Sequence, residues 1–144
     1  MAALTLAQAN QILTTALAKS REAGYKPMGI AVLDEAGNLK AFAREDGASM
    51  FRFDVAQGKA WAAVAMGASS RALAKRAKDN PNFFITLAAT AQGKFLPQTG
   101  GVLIRDASGQ ILGAAGASGG TGEEDETACA HGIEQAGLVP DAAG

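Results

Sequence analysis

Two hairpin patterns limit the folds open to this chain more than any other feature of its sequence. Each consists of an apolar run, a short turn rich in Asp, Gly, Asn or Ser, and a second apolar run. The first hairpin spans residues 28–43 and turns at 34–38, and the second spans 102–117 and turns at 106–109. Strands joined by such short turns pair antiparallel. Because no strand-helix-strand alternation is present, the pattern predicts an antiparallel sheet.

Helical patterns surround the two hairpins. The predicted helices run from the Thr5 and Gln8 capping box to Gly24, from Met50 to Met66, from a cap at Ser69 or Ser70 to the Asn80-Pro81 breaker, and from about Glu123 to Gln135 with Gly137 as C-cap. Residues 82–98 stay ambiguous, because 83–85 favour a strand and 86–92 favour a helix. The order of elements predicts one α+β domain over residues 1–144, with helices packed on the faces of the sheet.

Charge and hydropathy exclude several classes of function. The 144 residues include 13 Lys+Arg and 14 Asp+Glu, so the basic excess that a nucleic-acid binder needs is missing. No stretch approaches the ~20 apolar residues of a membrane helix, and the start MAALTLAQAN lacks the basic segment of a secretion signal. The single cysteine, Cys129, cannot form an internal disulfide. We therefore expect a cytoplasmic protein that binds neither nucleic acid nor membranes.

Lys59 is the first candidate for a functional side chain. It is the only charged residue between Asp54 and Arg71, in an Ala-rich helical segment. A lysine in this position can hold an anionic group of a ligand or, if desolvated, act as a base or amine nucleophile. The alternative is that Lys59 extends to solvent from the less apolar side of its helix.

The start of the last helix supplies the second candidate. At about 100° per residue, Glu126 lies on the apolar stripe that contains Cys129 and Ile133, and Asp125 lies at its flank. An acid in such a place is a candidate base, or a binder of hydroxyl or cationic groups. The alternative for Asp125 and Glu126 alike is stabilisation of the helix dipole.

The remaining reactive residue types give no metal site. His131, the only histidine, points about 140° away from Glu126 and is predicted to be exposed. Without a second histidine or a cysteine pair, no zinc site is predicted. Cys129 shares its helix face with no histidine, which favours a buried apolar role over that of a nucleophile.

Two glycine-rich segments, 98–101 and 116–122, precede a strand and a helix respectively. The second offers backbone N–H groups and a helix N-terminus to an anion. It lacks the Lys-Ser/Thr pair of a phosphate-binding P-loop and the surroundings of a dinucleotide fingerprint. Its glycines have an alternative role, which is to allow tight turns and close packing.

Several segments together resemble one known family. They are VLDEAGNL at 32–39, AREDGA at 43–48, Lys59-Ala60, Gly100-Gly101, GAAGASGG at 113–120 and DETACA at 125–130. In this order they resemble the GlcG/HbpS family of heme-binding-protein-like domains, which also occurs at the C-terminus of one class of corrinoid adenosyltransferase. The similarity covers nearly the whole chain.

The resemblance implies a profilin-like fold, with an antiparallel sheet of about five strands covered by helices, and assembly into dimers or larger homo-oligomers. It also implies a ligand cleft near Gly100 and Gly101, the loop Ser118, Gly119 and Gly120, and the start of the last helix. Some members bind heme or corrinoids. The family commonly has Gly-Gly-x-Pro-Ile where this chain has Gly100-Gly101-Val102-Leu103-Ile104, and the loss of that proline restores a backbone donor.

Two hypotheses of different class follow. In the first, an oligomeric protein binds heme or another tetrapyrrole, and Lys59 or Arg44 neutralises the carboxylates of the ligand. In the second, a metal-free enzyme of small-molecule catabolism uses Glu126 or Asp125 as acid and base. There Lys59 polarises a carbonyl or neutralises a carboxylate, and the amides of Gly100 and Gly101 stabilise an oxyanion.

Overall fold

A computed structural model describes residues 3–144 of the chain. Met1 and Ala2, which begin the segment tested for a secretion signal, lie outside the described residues. In chain order the elements are α1 (Leu6–Ala23), β1 (Gly29–Asp34), β2 (Leu39–Arg44), α2 (Phe51–Met66), α3 (Ser70–Asp79), α4 (Pro81–Thr90), β3 (Gly101–Arg105), β4 (Ile111–Ser118), α5 (Gly122–Gln135) and β5 (Val139–Asp141).

The five strands form one antiparallel sheet in the order β2-β1-β4-β3-β5. The two predicted hairpins therefore lie side by side, because β1 of the first pairs with β4 of the second. Leu103 lies opposite Ala114 of β4 and Asp141 of β5. It occupies the position where the family commonly has proline, which would remove a donor from a strand that is paired on both sides.

Helices cover both faces of the sheet. On one face α1 and α5 pack together over a core that includes Ile12, Ile30 and Ile133. On the other face α2 packs against β1, β3 and β4 around Leu33 and Leu103. Because successive side chains of a strand point to opposite faces, β1 and β3 contribute to both cores. This arrangement confirms the predicted α+β fold.

The predicted helices are confirmed with small shifts at their ends. Thr5 forms the expected capping box with Gln8, and Ser69, not Ser70, caps α3 by accepting a hydrogen bond from the amide of Ala72. Helix α5 begins with a capping box between Thr121 and Glu124. Its C-cap is Ala136, and the predicted cap Gly137 follows with a left-handed φ of +79°.

The ambiguous segment 82–98 contains a helix and no strand. Helix α4 starts at Pro81, whose fixed φ suits the first turn, and buries Phe84 against Phe95 with ring centroids 6.0 Å apart. Of the alternatives left open by the sequence, the strand at 83–85 is therefore wrong. The short edge strand β5 has no counterpart among the elements predicted from residue patterns.

Candidate functional site

The central feature of the site is a buried ion pair between Lys59 of α2 and Asp125 of α5. The ammonium Nζ of Lys59 donates to Oδ2 of Asp125 at 2.9 Å and to the backbone carbonyl of Ala117 at 3.0 Å. The other carboxylate oxygen of Asp125 accepts the amide N–H of Gly120 at 3.0 Å. Only 6% of Lys59 and 1% of Asp125 are exposed. Lys59 therefore does not extend to solvent, and its charge is matched inside the protein.

The pair links the two helical layers at one end of the sheet, where β4 ends and β3 begins. Helices α2 and α5 lie on opposite faces, so their side chains can meet only beyond the strands. Gly100, which precedes β3, makes room for this contact. A Cβ atom at Gly100 would lie 2.9 Å from Nζ of Lys59 and 3.0 Å from Cβ of Asp125. Glycine is thus required here by space as well as by its φ of +131°.

Burial raises the pKa of the Asp125 carboxyl above its ordinary value. The charge of Lys59 and its hydrogen bond act in the opposite direction, as does the hydrogen bond from Gly120, without cancelling the effect of burial. A carboxyl group with a raised pKa beside a lysine is an arrangement that suits proton transfer.

A cleft of about 440 Å³, hereafter the Lys59 cleft, opens beside this pair. Its lining combines charged, polar and small residues: Arg52, Val55, Lys59, Leu96, Gln98, Thr99, Ser118, Gly120, Gly122, Glu123 and Asp125. The guanidinium of Arg52 donates to the Ser118 hydroxyl at 2.7 Å. The cleft can therefore hold a polar or anionic small molecule at the junction of α2, α5 and the Gly-rich loop.

Seven of the nine residues predicted for the site lie in or beside the cleft. Lys59, Asp125, Ser118 and Gly120 line the cleft, and Gly100 lies directly behind the ion pair. A Cβ at Gly101 would lie 2.5 Å from the carbonyl oxygen of Lys59, so this glycine sets how closely α2 approaches β3. Gly119 serves the turn that follows β4, where a Cβ would lie 2.3 Å from the carbonyl oxygen of Pro27.

Of the two acids that the enzyme hypothesis named, Glu126 does not converge with Lys59. Its carboxylate binds the guanidinium of Arg71 on α3 through two oxygens, with the closest contact at 2.9 Å. One residue along a helix turns the side chain by about 100°, which directs Asp125 to α2 and Glu126 to α3. The carboxylate beside Lys59 is that of Asp125.

Arg44 lies in a different cleft. It lines a depression with Leu17, Arg21 and Glu45, and its guanidinium donates to the backbone carbonyl of Ala48. Strand β1 lies between Arg44, at the end of the edge strand β2, and Ser118 of β4, and Arg44 does not line the Lys59 cleft.

Of the predictions made for the reactive residues of α5, that for Cys129 is confirmed and that for His131 is wrong. Cys129 is fully buried, as predicted, and its burial raises the pKa of the thiol. His131 is half-buried, so the prediction that it is exposed is wrong. Within residues 3–144 no cluster of three or more His, Cys, Asp or Glu side chains is arranged to hold a metal ion.

The lining residues that sequence reasoning missed include four with polar or charged side chains: Arg52, Gln98, Thr99 and Glu123. A signal for Arg52 was present, because it precedes Lys59 by seven residues, or two helical turns, and so shares its helix face. Gln98 and Thr99 belong to an irregular segment whose position depends on the path of α4. No residue pattern indicates that position.

The fold and the cleft define a small α+β domain with a polar cleft between its two helical layers. Residues 4–134 match the family described as "Haem degrading protein HbpS-like", and the chain belongs to this family. No curated protein sequence matches it. In the part of the chain from residue 3 onward, none of the helices is long and apolar enough to cross a membrane.

Solved structures that are similar to the chain agree with this assignment. The chain is similar to a complex of PduOC with heme, with a TM-score of 0.81 and 25% identity over 92% of this chain and 94% of that one. HbpS gives a TM-score of 0.80 and 27% identity over 94% and 91% of the two chains. The protein ORFY of Klebsiella pneumoniae gives 0.84 and 25% identity over 95% and 93%.

Proposed function

We propose that this protein binds a carboxylate-bearing tetrapyrrole such as heme in the Lys59 cleft. Membership of the HbpS-like family and the similarity to PduOC, which was crystallised with heme, support this proposal. The position of the cleft, beside the double glycine and the Ser-Gly-Gly loop, agrees with the site that the family resemblance implies.

The residues of the cleft fit the carboxylates of heme and not its iron. Arg52 and polar groups such as Gln98 and Thr99 can bind carboxylates. The side chains that usually bind heme iron are His, Cys, Met and Tyr. None of the described residues that line this cleft is of those types. The proposal is therefore restricted to binding, and it assigns no chemistry at the metal.

The observation that supports the proposal most directly is the set of partners that the Arg52 guanidinium has in the structure. Lys59 is neutralised by Asp125, whereas the ion pairs formed among residues 3–144 leave the Arg52 guanidinium without a carboxylate partner. Arg52 contacts only hydroxyl groups, those of Ser118 at 2.7 Å and Ser49 at 3.4 Å, in the hydrogen bonds that its side chain forms. A guanidinium held in this way at a cleft is suited to a ligand carboxylate.

Titration of the purified protein with hemin, followed by absorbance in the Soret region, tests the proposal. We expect saturable binding at a fixed ratio of heme to subunit. Arg52→Gln should weaken it by about tenfold, because a charge-assisted hydrogen bond contributes about 1.5 kcal/mol or more. The matched control Arg76→Gln removes an exposed arginine that does not line the Lys59 cleft. The absence of saturable binding, or an equal loss in both variants, would refute the proposal.

The Lys59–Asp125 pair favours a second candidate function, a metal-free enzyme that abstracts a proton next to a carbonyl group. Of the two acids named for this enzyme, Asp125, whose pKa is raised, would act as the acid or base. Lys59 would neutralise the negative charge that develops on the substrate oxygen. Both groups line the cleft and lie 2.9 Å apart.

Proton exchange in D₂O tests this second function without knowledge of the product. A panel of small 2-oxo and 2-hydroxy acids is incubated with the protein, and loss of the hydrogen next to the carbonyl or carboxylate is followed by proton NMR. Enzyme-dependent exchange that disappears in Lys59→Met and Asp125→Asn, but persists in Glu126→Gln, would support it. Exchange that equals the rate without protein would contradict it for these substrates.

We also propose that the protein is a cytoplasmic homo-oligomer. Phe83 and Ile85 of α4 are exposed apolar side chains, which a second subunit could cover. Light scattering after size-exclusion chromatography measures the subunit number directly. A single mass equal to one chain at micromolar concentration would contradict the oligomer.

A further inference from the structure

A second cleft of about 440 Å³ lies next to the Lys59 cleft. It is formed by α3 and is lined by Arg71, Lys75 and Lys78, together with small residues of the same helix. Gln98 and Thr99 line both clefts, so the two are neighbours across this segment. We call it the α3 cleft.

The cations of the α3 cleft share one helix face. At about 100° per residue, Lys75 lies about 40° and Lys78 about 20° from Arg71, on either side of it. Arg76 points about 140° away, and it does not line the cleft. The positive charge is therefore concentrated on the side of α3 that faces Gln98 and Thr99.

The two clefts differ in charge balance. The cations of the Lys59 cleft, Arg52 and Lys59, are matched in number by the acids Glu123 and Asp125. The lining of the α3 cleft includes three cations and, among the residues that the structure describes, no acid.

Within the α3 cleft the cations differ in how they are compensated. Arg71 is compensated by Glu126 at 2.9 Å and by Glu123 at 3.8 Å. Lys75 and Lys78 form no ion pair with any residue in the range 3–144. Two uncompensated ammonium groups beside a guanidinium create a positive potential that attracts anions.

We propose that the α3 cleft is a carboxylate-binding subsite, which holds an acidic side group of the ligand whose body lies in the Lys59 cleft. Lys75 and Lys78 supply the charge, and Gln98 and Thr99 supply hydrogen bonds at the boundary between the clefts. The identity of the ligand as a tetrapyrrole rests on the function proposed above. The subsite itself rests on the charge and position of the α3 residues.

Citrate, a small tricarboxylate, probes the subsite independently of heme. In a titration followed by ¹⁵N–¹H NMR, we expect saturable shifts at the backbone amides of Lys75, Lys78 and Thr99. Lys75→Gln and Lys78→Gln should each weaken the binding by about two- to fivefold. Arg76→Gln removes the same charge from another face of α3 and should change it less. Shifts that do not saturate, or an equal loss in Arg76→Gln, would overturn the subsite.

Hemin titration of the same variants tests whether one ligand occupies both clefts. We expect Lys75→Gln and Lys78→Gln to weaken hemin binding and saturating citrate to compete with it. If the wild-type protein binds no hemin, the proposed function fails, while the citrate titration still decides whether the subsite exists. If hemin binds and the two lysine variants behave like Arg76→Gln, the proposed function stands and the link between the clefts is overturned.

Discussion

Gly101 of β3 and Gly116 of β4 lie directly opposite each other in the sheet, and the backbone of α2 crosses both of them. A Cβ at Gly101 would lie 2.5 Å from the carbonyl oxygen of Lys59, and a Cβ at Gly116 would lie 2.1 Å from that of Ala56. No side chain fits between the helix and the strands at this level. The glycine pair therefore fixes the depth of α2 on the sheet, and with it the height at which Lys59 reaches Asp125.

We expect Gly101→Ala and Gly116→Ala to destabilise the protein. The added methyl groups would collide with the backbone of α2, which cannot move by a rotamer change, and such overpacking costs about 1–3 kcal/mol or more. Urea unfolding followed by circular dichroism measures the loss in the free energy of unfolding. A displacement of α2 should also change the shape of the Lys59 cleft. We therefore expect the folded molecules of each variant to bind hemin more weakly than the wild type.

Gly120→Ala is the matched control for these two variants. At Gly120 the nearest atoms to a new Cβ, at 2.8 and 3.1 Å, belong to the ends of the Glu124 and Met28 side chains, with Cβ of Glu124 at 3.0 Å. These side chains can rotate aside, at the cost of the capping hydrogen bond between the Thr121 amide and Glu124, whereas backbone cannot, so we expect this substitution to cost less. Equal losses at the three glycines would contradict the proposed role of Gly101 and Gly116.

Removal of one partner of the Lys59–Asp125 pair should be strongly destabilising. Asp125→Asn or Lys59→Met leaves a buried charge without its counter-charge, which costs about 3–5 kcal/mol in comparable pairs. The free energy of unfolding of each variant, measured at pH 7, gives the size of the effect. A loss below about 1 kcal/mol would mean that the remaining group is hydrated or neutralised in another way.

The double variant Lys59→Met with Asp125→Leu completes the test. An apolar pair of similar volume often restores the stability that a single substitution removes. We therefore expect the double variant to be more stable than Lys59→Met alone, with a coupling energy that identifies the pair as one unit. If both positions instead contribute independently, the losses add.

The sequence determines most of the fold because most elements carry local signals. The capping box at Thr5, the turns at 34–38 and 106–109, and the breaker before Pro81 each act within a few residues. Helix α4 lacks such a signal, because the apolar run 83–85 suits either a strand or a buried helix. Only the packing of Phe84 on Phe95, eleven residues later, decides between them. Strand β5 depends entirely on β3, and its Pro140 suits an edge position.

Some of the residues that line the Lys59 cleft could be named from the sequence for a similar reason. Lys59 is conspicuous as a lone charge in an apolar segment, and the glycine-rich segments indicate close approach of the backbone. A helical wheel places Asp125 and Glu126 about 100° apart and puts Glu126 on the apolar stripe, but in the structure Asp125 is the one buried against Lys59. The wheel alone does not determine which of the two faces the end of the sheet. That choice depends on how α5 is rotated against α1, which is a tertiary property. The partner of Lys59 therefore required the structure.

The contribution of Asp141 to the free energy of unfolding should depend on pH. The amide N–H of Ala143, and secondarily the Arg105 guanidinium at 2.9 Å, lower the pKa of this carboxyl below its ordinary value of 3.8. The folded state therefore favours the carboxylate. Its contribution is complete above the unfolded pKa, near 3.8, and is lost as the pH falls through the lower folded value.

The comparison of wild type with Asp141→Asn isolates this effect from the other titrating groups. Both side chains are about the same size, and the ion pair is partly exposed, so we expect a difference of about 0.5–1 kcal/mol at pH 7. Urea unfolding at a series of pH values should show that the difference stays constant down to about pH 4 and then shrinks. A difference that grows with acidity would be inconsistent with the lowered pKa.

Cys129 should be unreactive in the folded protein. Burial, and secondarily the negative charge of Asp125, raise the pKa of its thiol, and the reactive species is the thiolate. Its sulfur lies 3.9 Å from the carbonyl oxygen of Gly100, inside the core shared by α1, α5 and the sheet. We expect Ellman's reagent to modify Cys129 only when the protein unfolds, so that urea accelerates the reaction.

The control is Cys129→Ala combined with Thr127→Cys, which moves the thiol to an exposed position of the same helix and should react at once in the native state. Rapid modification of native Cys129 would show that α5 separates from the sheet far more easily than its packing implies.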